Sequence, residues 1–73
     1  MAGIKFEVVE NFGFISEGSN GWKKELNLVS WNDRAPKFDI RDWDADHQKM
    51  GKGITLSTEE LRELKKILND IDL

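Results

Sequence analysis

The stretch KFDIRDW, residues 37–43, alternates with the two-residue period of a β-strand. Phe38 and Ile40 share one face of this strand. The opposite face carries charged and aromatic side chains, those of Lys37, Asp39, Arg41 and Trp43. A tryptophan on a polar strand face leaves apolar surface in water unless something covers it. We therefore expect this face to be a contact surface, with Arg41 pointing away from the core.

The preceding stretch, WKKELNLVSW at residues 22–31, has the same organisation. Leu26 and Leu28 lie on one face, and the other face carries Lys23, Glu25, Asn27, Val29 and Trp31. The connecting residues NDRAP, 32–36, are typical of a turn. The two stretches are therefore predicted to pair as an antiparallel hairpin.

The residues before this hairpin also favour β-structure. Residues 4–17 predict one long bent strand or two short ones, with a bulge at Gly13 between Phe12 and Phe14. The segment GSNG, residues 18–21, indicates a turn.

The residues after the hairpin end in a helix. Residues 44–53 predict a loop of about ten residues, and residues 54–56 a short strand. Ser57 and Glu60 have the spacing of a helix capping box. The helix that follows carries one apolar stripe, formed by Leu61, Leu64, Ile67, Leu68 and Ile71. The sequence thus predicts one α+β domain over residues 1–73, with an antiparallel sheet of four to five strands followed by one C-terminal helix.

Composition narrows the class of protein. The chain has 73 residues, no cysteine and a formal net charge of −3, so disulfides and thiolate metal sites are excluded. No signal peptide and no apolar run long enough to cross a bilayer is present, which predicts a cytoplasmic protein without membrane contact. A chain this small with a broad apolar helix stripe is expected to form a homodimer.

Motifs for catalysis, metals and nucleotides are incomplete. Asp42, Asp44 and Asp46 match three positions of a calcium loop, but His47 and Gly53 stand where glycine and glutamate are required. His47 has no serine or cysteine partner and is expected at the surface. The segment GKGIT, residues 51–55, lacks the first glycine of a phosphate loop. We predict no metal, no cofactor, no small-molecule substrate and no enzyme, although catalysis by the Asp42–His47 cluster is a rival hypothesis.

Three segments together resemble a known family. DIRDW (39–43), GKGITL (51–56) and STEELRELKKILNDID (57–72) are similar to the single-stranded-DNA-binding domain of the transcriptional coactivator positive cofactor four. NGWKKELNLVSWN, residues 20–32, looks closer to its bacterial YdbC-like branch. The resemblance covers residues 4–72. It implies a curved sheet backed by the helix, in a homodimer whose strands form grooves for single-stranded DNA in transcription, replication or repair, close to the nucleoid.

The resemblance also implies site residues. It places Trp31 on a stacking aromatic, Arg41 on an arginine at the DNA face, Trp43 on the aromatic next to it and Lys52 on the lysine before the last strand. Stacking platforms and phosphate-binding cations on neighbouring strands are what single-stranded nucleic acid requires. The predicted contact residues are Trp22, Lys23, Lys24, Asn27, Trp31, Arg34, Lys37, Arg41, Trp43 and Lys52.

Alternatives stay open at this point. Trp31 and Trp43 could instead pack under the helix or at a dimer contact. The tryptophan-bearing sheet face could bind a peptide, which is the main rival function. Stacking does not separate DNA from RNA.

Overall fold

The computed structural model describes residues 4–73, which form four strands followed by one helix. The elements are β1 (Phe6–Glu17), β2 (Lys23–Trp31), β3 (Lys37–Trp43), β4 (Met50–Leu56) and α1 (Thr58–Asp70). The strands form one sheet in the order β1-β2-β3-β4, and each strand runs antiparallel to its neighbours. The predicted α+β architecture with one C-terminal helix is confirmed, with four strands.

Strand β1 is a single strand that bends. Its register with β2 shifts three times, between Val8 and Glu10, between Asn11 and Gly13, and between Phe14 and Ser16. Gly13 has a φ of 142°, which other residues rarely adopt, and the bulge predicted there lies at one of these shifts. Each irregularity increases the local twist, so β1 can wrap around the rest of the sheet.

Strand β4 is longer than the sequence predicted. It begins at Met50, so the loop between β3 and β4 spans residues 44–49 rather than 44–53. Gly51 and Gly53 have low strand propensity and concealed the strand from pattern analysis. Pairing with β3, in which Trp43 opposes Met50 and Arg41 opposes Gly53, outweighs that propensity.

The sheet is rolled rather than flat. Phe6 pairs with Trp31 and Lys23 pairs with Trp43, so these two pairs are separated along β2 by roughly 26 Å of extended strand. Nevertheless, the rings of Phe6 and Trp43 lie only 5.2 Å apart between centroids. Opposite corners of the sheet therefore meet, and one sheet face becomes the inside of the roll.

We call the inside of the roll the network face; its side chains include Glu25, Asn27, Asp39, Arg41 and Trp43. The opposite surface is the helix face, whose side chains include Leu26, Leu28, Phe38 and Ile40. Val29, Trp43, Asn27 and Asp39 on the network face are fully buried, whereas the four apolar residues of the helix face are only half-buried. The sequence predicted the reverse, because strand alternation shows which residues share a face but not which way the sheet curls.

Helix α1 begins with the predicted capping box. The Glu60 amide donates to the Ser57 hydroxyl over 3.1 Å, and the Ser57 amide donates to the Glu60 carboxylate over 2.8 Å. The hydrogen bond from the Ser57 amide also holds the pKa of Glu60 below its ordinary value.

The apolar stripe of α1 is covered by the sheet only near the start of the helix. Leu61 and Leu64 are half-buried against the sheet, whereas Ile67, Leu68 and Ile71 are exposed. Within residues 4–73, no helix is both long enough and apolar enough to cross a membrane.

Candidate nucleic-acid interface

The two most distinctive sequence motifs meet across strands β3 and β4. Asp39 opposes Thr55, and Arg41 opposes Gly53. The Asp39 carboxylate accepts two hydrogen bonds from the Arg41 guanidinium, at 2.6 Å from Nε and 2.9 Å from Nη2. It also accepts one from the Thr55 hydroxyl at 3.0 Å. DIRDW and GKGITL are therefore two halves of one polar cluster.

Gly53 makes room for this cluster. A Cβ atom at position 53 would lie 2.5 Å from the Ile40 carbonyl oxygen and would overlap the Cβ of Arg41. The third guanidinium nitrogen of Arg41, Nη1, donates to the Gly51 carbonyl at 3.5 Å and to the Met50 sulfur at 3.4 Å. The Arg41 side chain is only 15% exposed. The expectation that Arg41 points away from the core is thus wrong, because its charge is paired with Asp39 inside the roll.

The aromatic residues of the network face pack on this cluster. The guanidinium carbon of Arg41 lies 4.7 Å from the ring centroid of Trp31, a cation–π contact, and the ring of Phe6 lies 6.1 Å from the Trp31 ring. Trp43, with an exposed fraction of 0%, packs against Phe6 and His47. The predicted exposure of Trp43 is wrong, because the rolled sheet closes over its ring.

A second polar cluster surrounds Glu25 on β2. Its Oε1 atom accepts hydrogen bonds from the amide groups of Asn11 and Asn27, each at 3.1 Å, and lies 2.8 Å from Nε2 of His47. Asn11 also donates to the Asn27 side-chain oxygen at 2.6 Å. Asn27 is completely buried in this network, so the expectation that it faces solvent is wrong as well.

His47 lies at the surface, as predicted, but its side chain also contacts residues of the network face. Its side chain is half-buried, lies over Trp43 with ring centroids 5.6 Å apart, and contacts Glu25. The loop that carries it is held by Asp44, whose Oδ1 accepts from the amides of Lys49 at 3.0 Å and Gln48 at 2.9 Å. The Lys49 amide is the main cause that lowers the pKa of Asp44. Within the described chain, no three histidine, cysteine or acidic residues are grouped closely enough to hold a metal ion.

One end of the network face is open, beside the β1–β2 hairpin. Phe14 opposes Glu25 in the register and is 56% exposed. The ammonium of Lys23 lies 4.7 Å from the centroid of the Phe14 ring. These side chains surround a shallow depression, which is lined by Val8, Asn11, Phe14, Lys23, Glu25 and His47. An exposed aromatic ring thus carries a cation over its face.

The remaining predicted residues are spread over the surface rather than brought together. Lys24 is exposed near the β1–β2 hairpin, with its ammonium 3.9 Å from Asp42. Arg34 lies in the β2–β3 turn at the far end of β2, and Lys37 starts β3. Lys52 is exposed on β4, and Trp22 is half-buried just before β2. Cations therefore lie near both ends of β2 and on β4, which is an edge strand of the sheet.

The sequence reasoning missed Phe14 and the cluster around Glu25. Gly13 between Phe12 and Phe14 does carry a signal, because a bulge there turns the two rings to opposite faces of the sheet. For Glu25, Asn11 and His47 no local signal exists, since they come from three separate segments that only the roll brings together.

Comparison with known proteins leads to the same family as the sequence motifs. A family model described as Transcriptional Coactivator p15 (PC4) matches residues 19–67, which include β2, β3, β4 and most of α1. An uncharacterized protein of Treponema pallidum (strain Nichols) is 47% identical over 68 residues, covering 93% of this chain and 80% of the relative. The resemblance seen in the motifs is confirmed: this chain belongs to the Transcriptional Coactivator p15 (PC4) family.

Proposed function

We propose that this protein binds single-stranded DNA without catalysis, as a homodimer, at the open end of the network face. The observation that carries the proposal is the exposed ring of Phe14 with the Lys23 ammonium 4.7 Å from its centroid. A base can take the place of the ammonium over this ring, and the displaced ammonium can contact a neighbouring phosphate. Each stacked base contributes roughly 1–3 kcal/mol to single-strand binding, largely independently of sequence.

The cations on either side extend this contact along a strand. Within residues 4–73, the side chains of Lys23, Arg34, Lys37 and Lys52 form no ion pair, so they are available to phosphates. Lys24 has only a long, exposed contact with Asp42, which a phosphate can replace. Trp22 and Trp31 are half-buried, and each can offer part of a ring to a base. Asn27 and Trp43 leave the proposed contact set, because neither has accessible surface.

The helix face supports the proposed homodimer. A mostly apolar groove lies between the sheet and α1, lined by Leu26, Phe38, Leu61, Leu64 and Leu68 together with Thr58, Arg62 and Lys65. Ile54, Ile67 and Ile71 add further exposed apolar surface. Contiguous apolar surface on so small a chain is typical of an interface. When a second copy of the chain docks by two-fold symmetry, each copy covers the apolar stripe on α1 of the other.

The family description, a transcriptional coactivator, indicates the process. We propose that the protein holds melted DNA during transcription, in the cytoplasm and close to the nucleoid, and that replication and repair intermediates offer it the same single strands. The rival function, a peptide bound on the tryptophan-bearing face, has less support. Trp43 is closed off inside the roll, and the guanidinium of Arg41 lies against the ring of Trp31.

The test is a titration of a fluorescein-labelled thymine decamer, followed by anisotropy at two salt concentrations. Phe14→Ala should weaken binding about tenfold to a hundredfold through the loss of one stacking platform. Phe12→Ala is the matched control: this neighbouring ring lies on the other face, 5.7 Å from Phe38. It should leave the affinity unchanged.

Salt tests the phosphate contact. Lys23→Gln should lower the slope of log affinity against log salt by about one, as expected for a single lost phosphate contact. Lys66→Gln, on the outer side of α1 and paired with Glu63, should leave the slope unchanged. Absence of binding at micromolar protein, or equal effects of Phe12→Ala and Phe14→Ala, would contradict the proposed site.

A further inference from the structure

The depression beside Phe14 has an unusual floor, because a carboxylate lies there almost wholly buried. The side chain of Glu25 is 6% exposed, and it lines both this depression and a neighbouring one towards Gly21 and Asp44. Burial of a charged group is costly unless it is hydrogen-bonded. Asn11, Asn27 and His47 meet that requirement, and all three contact the same oxygen, Oε1.

The second oxygen of Glu25, Oε2, receives no hydrogen bond from residues 4–73. The cluster thus fixes the carboxylate in place while leaving one acceptor for an N–H donor from outside. Lys23 lines the same depression and offers a donor, and Phe14 offers the exposed ring. The ammonium lies over the ring, so a planar group that stacks there moves the flexible Lys23 side chain aside and meets its donor, together with the acceptor Oε2, at its own edge.

We propose that this depression is a base subsite that prefers guanine, with Glu25 as the residue that determines the preference. The inference rests on the proposed binding of single strands and goes beyond sequence-tolerant stacking. Guanine presents a carbonyl, O6, next to two N–H donors, at N1 and N2. The carbonyl faces one N–H of the displaced Lys23 ammonium, whose other two donors remain for a phosphate, and the two N–H donors of guanine face Oε2 of Glu25.

The other bases match this arrangement less well. Thymine has one N–H donor between two carbonyl oxygens, so one of the carbonyls must face the carboxylate. Cytosine and adenine each have an amino group next to a ring nitrogen that accepts a hydrogen bond. In the orientation described for guanine, a donor would face the ammonium of Lys23 and an acceptor would face the carboxylate of Glu25. Reading of single-stranded bases at this edge is a common mode of recognition. The expected order of affinity is guanine first, then thymine.

The experiment compares thymine decamers that differ at one central position, with thymine, guanine or hypoxanthine there. Hypoxanthine keeps the carbonyl and the N1 donor of guanine but lacks the 2-amino group. A decamer can slide until its preferred base lies in the subsite, so one substitution is sufficient. Guanine should bind about tenfold tighter than thymine, and hypoxanthine should fall between them.

Protein variants then assign the effect to Glu25. Glu25→Gln should remove most of the advantage of guanine, whereas Glu59→Gln, the same change of charge on the exposed surface of α1, should preserve it. If Glu25→Gln does not fold, the comparison of guanine with hypoxanthine on the unaltered protein still decides. Salt-dependent binding of all three decamers with equal affinity would overturn the subsite and leave the proposed function intact. If no decamer bound, both proposals would fall.

Discussion

The two faces of the sheet differ in how far they are buried and in what covers them. The network face is closed by the chain itself: the rolled sheet buries Trp43, Val29 and two polar clusters without help from another molecule. The helix face is richer in apolar residues but stays half open, because α1 covers only part of it. The comparison shows that the polarity of a face does not decide whether it is buried. Curvature decides this, and the more apolar face stays partly open.

The largest expected effect comes from breaking the polar cluster of the network face. Asp39→Ala should lower the free energy of unfolding by about 3–5 kcal/mol, because it leaves the mostly buried charge of Arg41 without a partner. Asp42→Ala is the matched control on the same strand, since its contact with Lys24 is long and exposed. Urea unfolding at a fixed protein concentration measures both. Equal, small effects would mean that the cluster adds little to the network face.

A charge placed on the helix face should separate the copies of the chain. Leu68→Glu is expected to raise the dissociation constant of the dimer more than about a hundredfold, because a charge would have to be buried without a partner. Asn69→Glu, the next residue of α1, should leave assembly unchanged. Sedimentation should show a species of about twice the 8.4 kDa chain mass for the parent and the control, and a folded monomer for Leu68→Glu. A monomeric parent at tens of micromolar would contradict the proposed use of this face.

Strand β4 offers a smaller test of how closely the network face is packed. Gly53→Ala should cost about 1–3 kcal/mol, because its methyl group would contact the Ile40 carbonyl and the Arg41 side chain. Gly51→Ala is the control, since its Cβ would lie at an ordinary distance of 3.4 Å from Asp42. Thermal unfolding compares the two variants. Equal melting temperatures would show that β4 can shift to admit a side chain beside Arg41.

The smallest expected effect concerns the start of α1, next to the helix face. Ser57→Ala should cost about 1 kcal/mol through the loss of the cap. The pKa of Glu60 is lowered in the folded state, so its contribution to stability is present above the ordinary value of 4.5 and is lost as the pH falls through the folded value. Glu60→Gln should therefore lower the melting temperature at pH 7 but have little effect at the acidic end of a pH series. A constant difference at every pH would show that charge has no part in the cap.

Much of this fold can be predicted from local patterns. The alternation in residues 37–43, the turn at 32–36 and the spacing of Ser57 and Glu60 correctly predicted the β2–β3 hairpin and the helix. Strand β4 was partly missed because glycine weakens the pattern where Gly53 has to admit Arg41. The curl of the sheet was missed because it arises from three irregularities in β1, and these depend on pairing with β2. Strand alternation alone therefore predicts Trp43 and Asn27 in solvent and does not single out Phe14.

The central claim is that the network face is the core of each protomer and that DNA, bound at the open end of this face, does not reach Trp43. It is tested most directly in the variant Trp22→Phe/Trp31→Phe, in which Trp43 is the one tryptophan left of the three in the chain. Its fluorescence should be blue-shifted and resist quenching by acrylamide, and saturating thymine decamer should leave it unchanged. Efficient quenching by acrylamide in the folded variant, or a large loss of emission when the decamer binds, would contradict the claim.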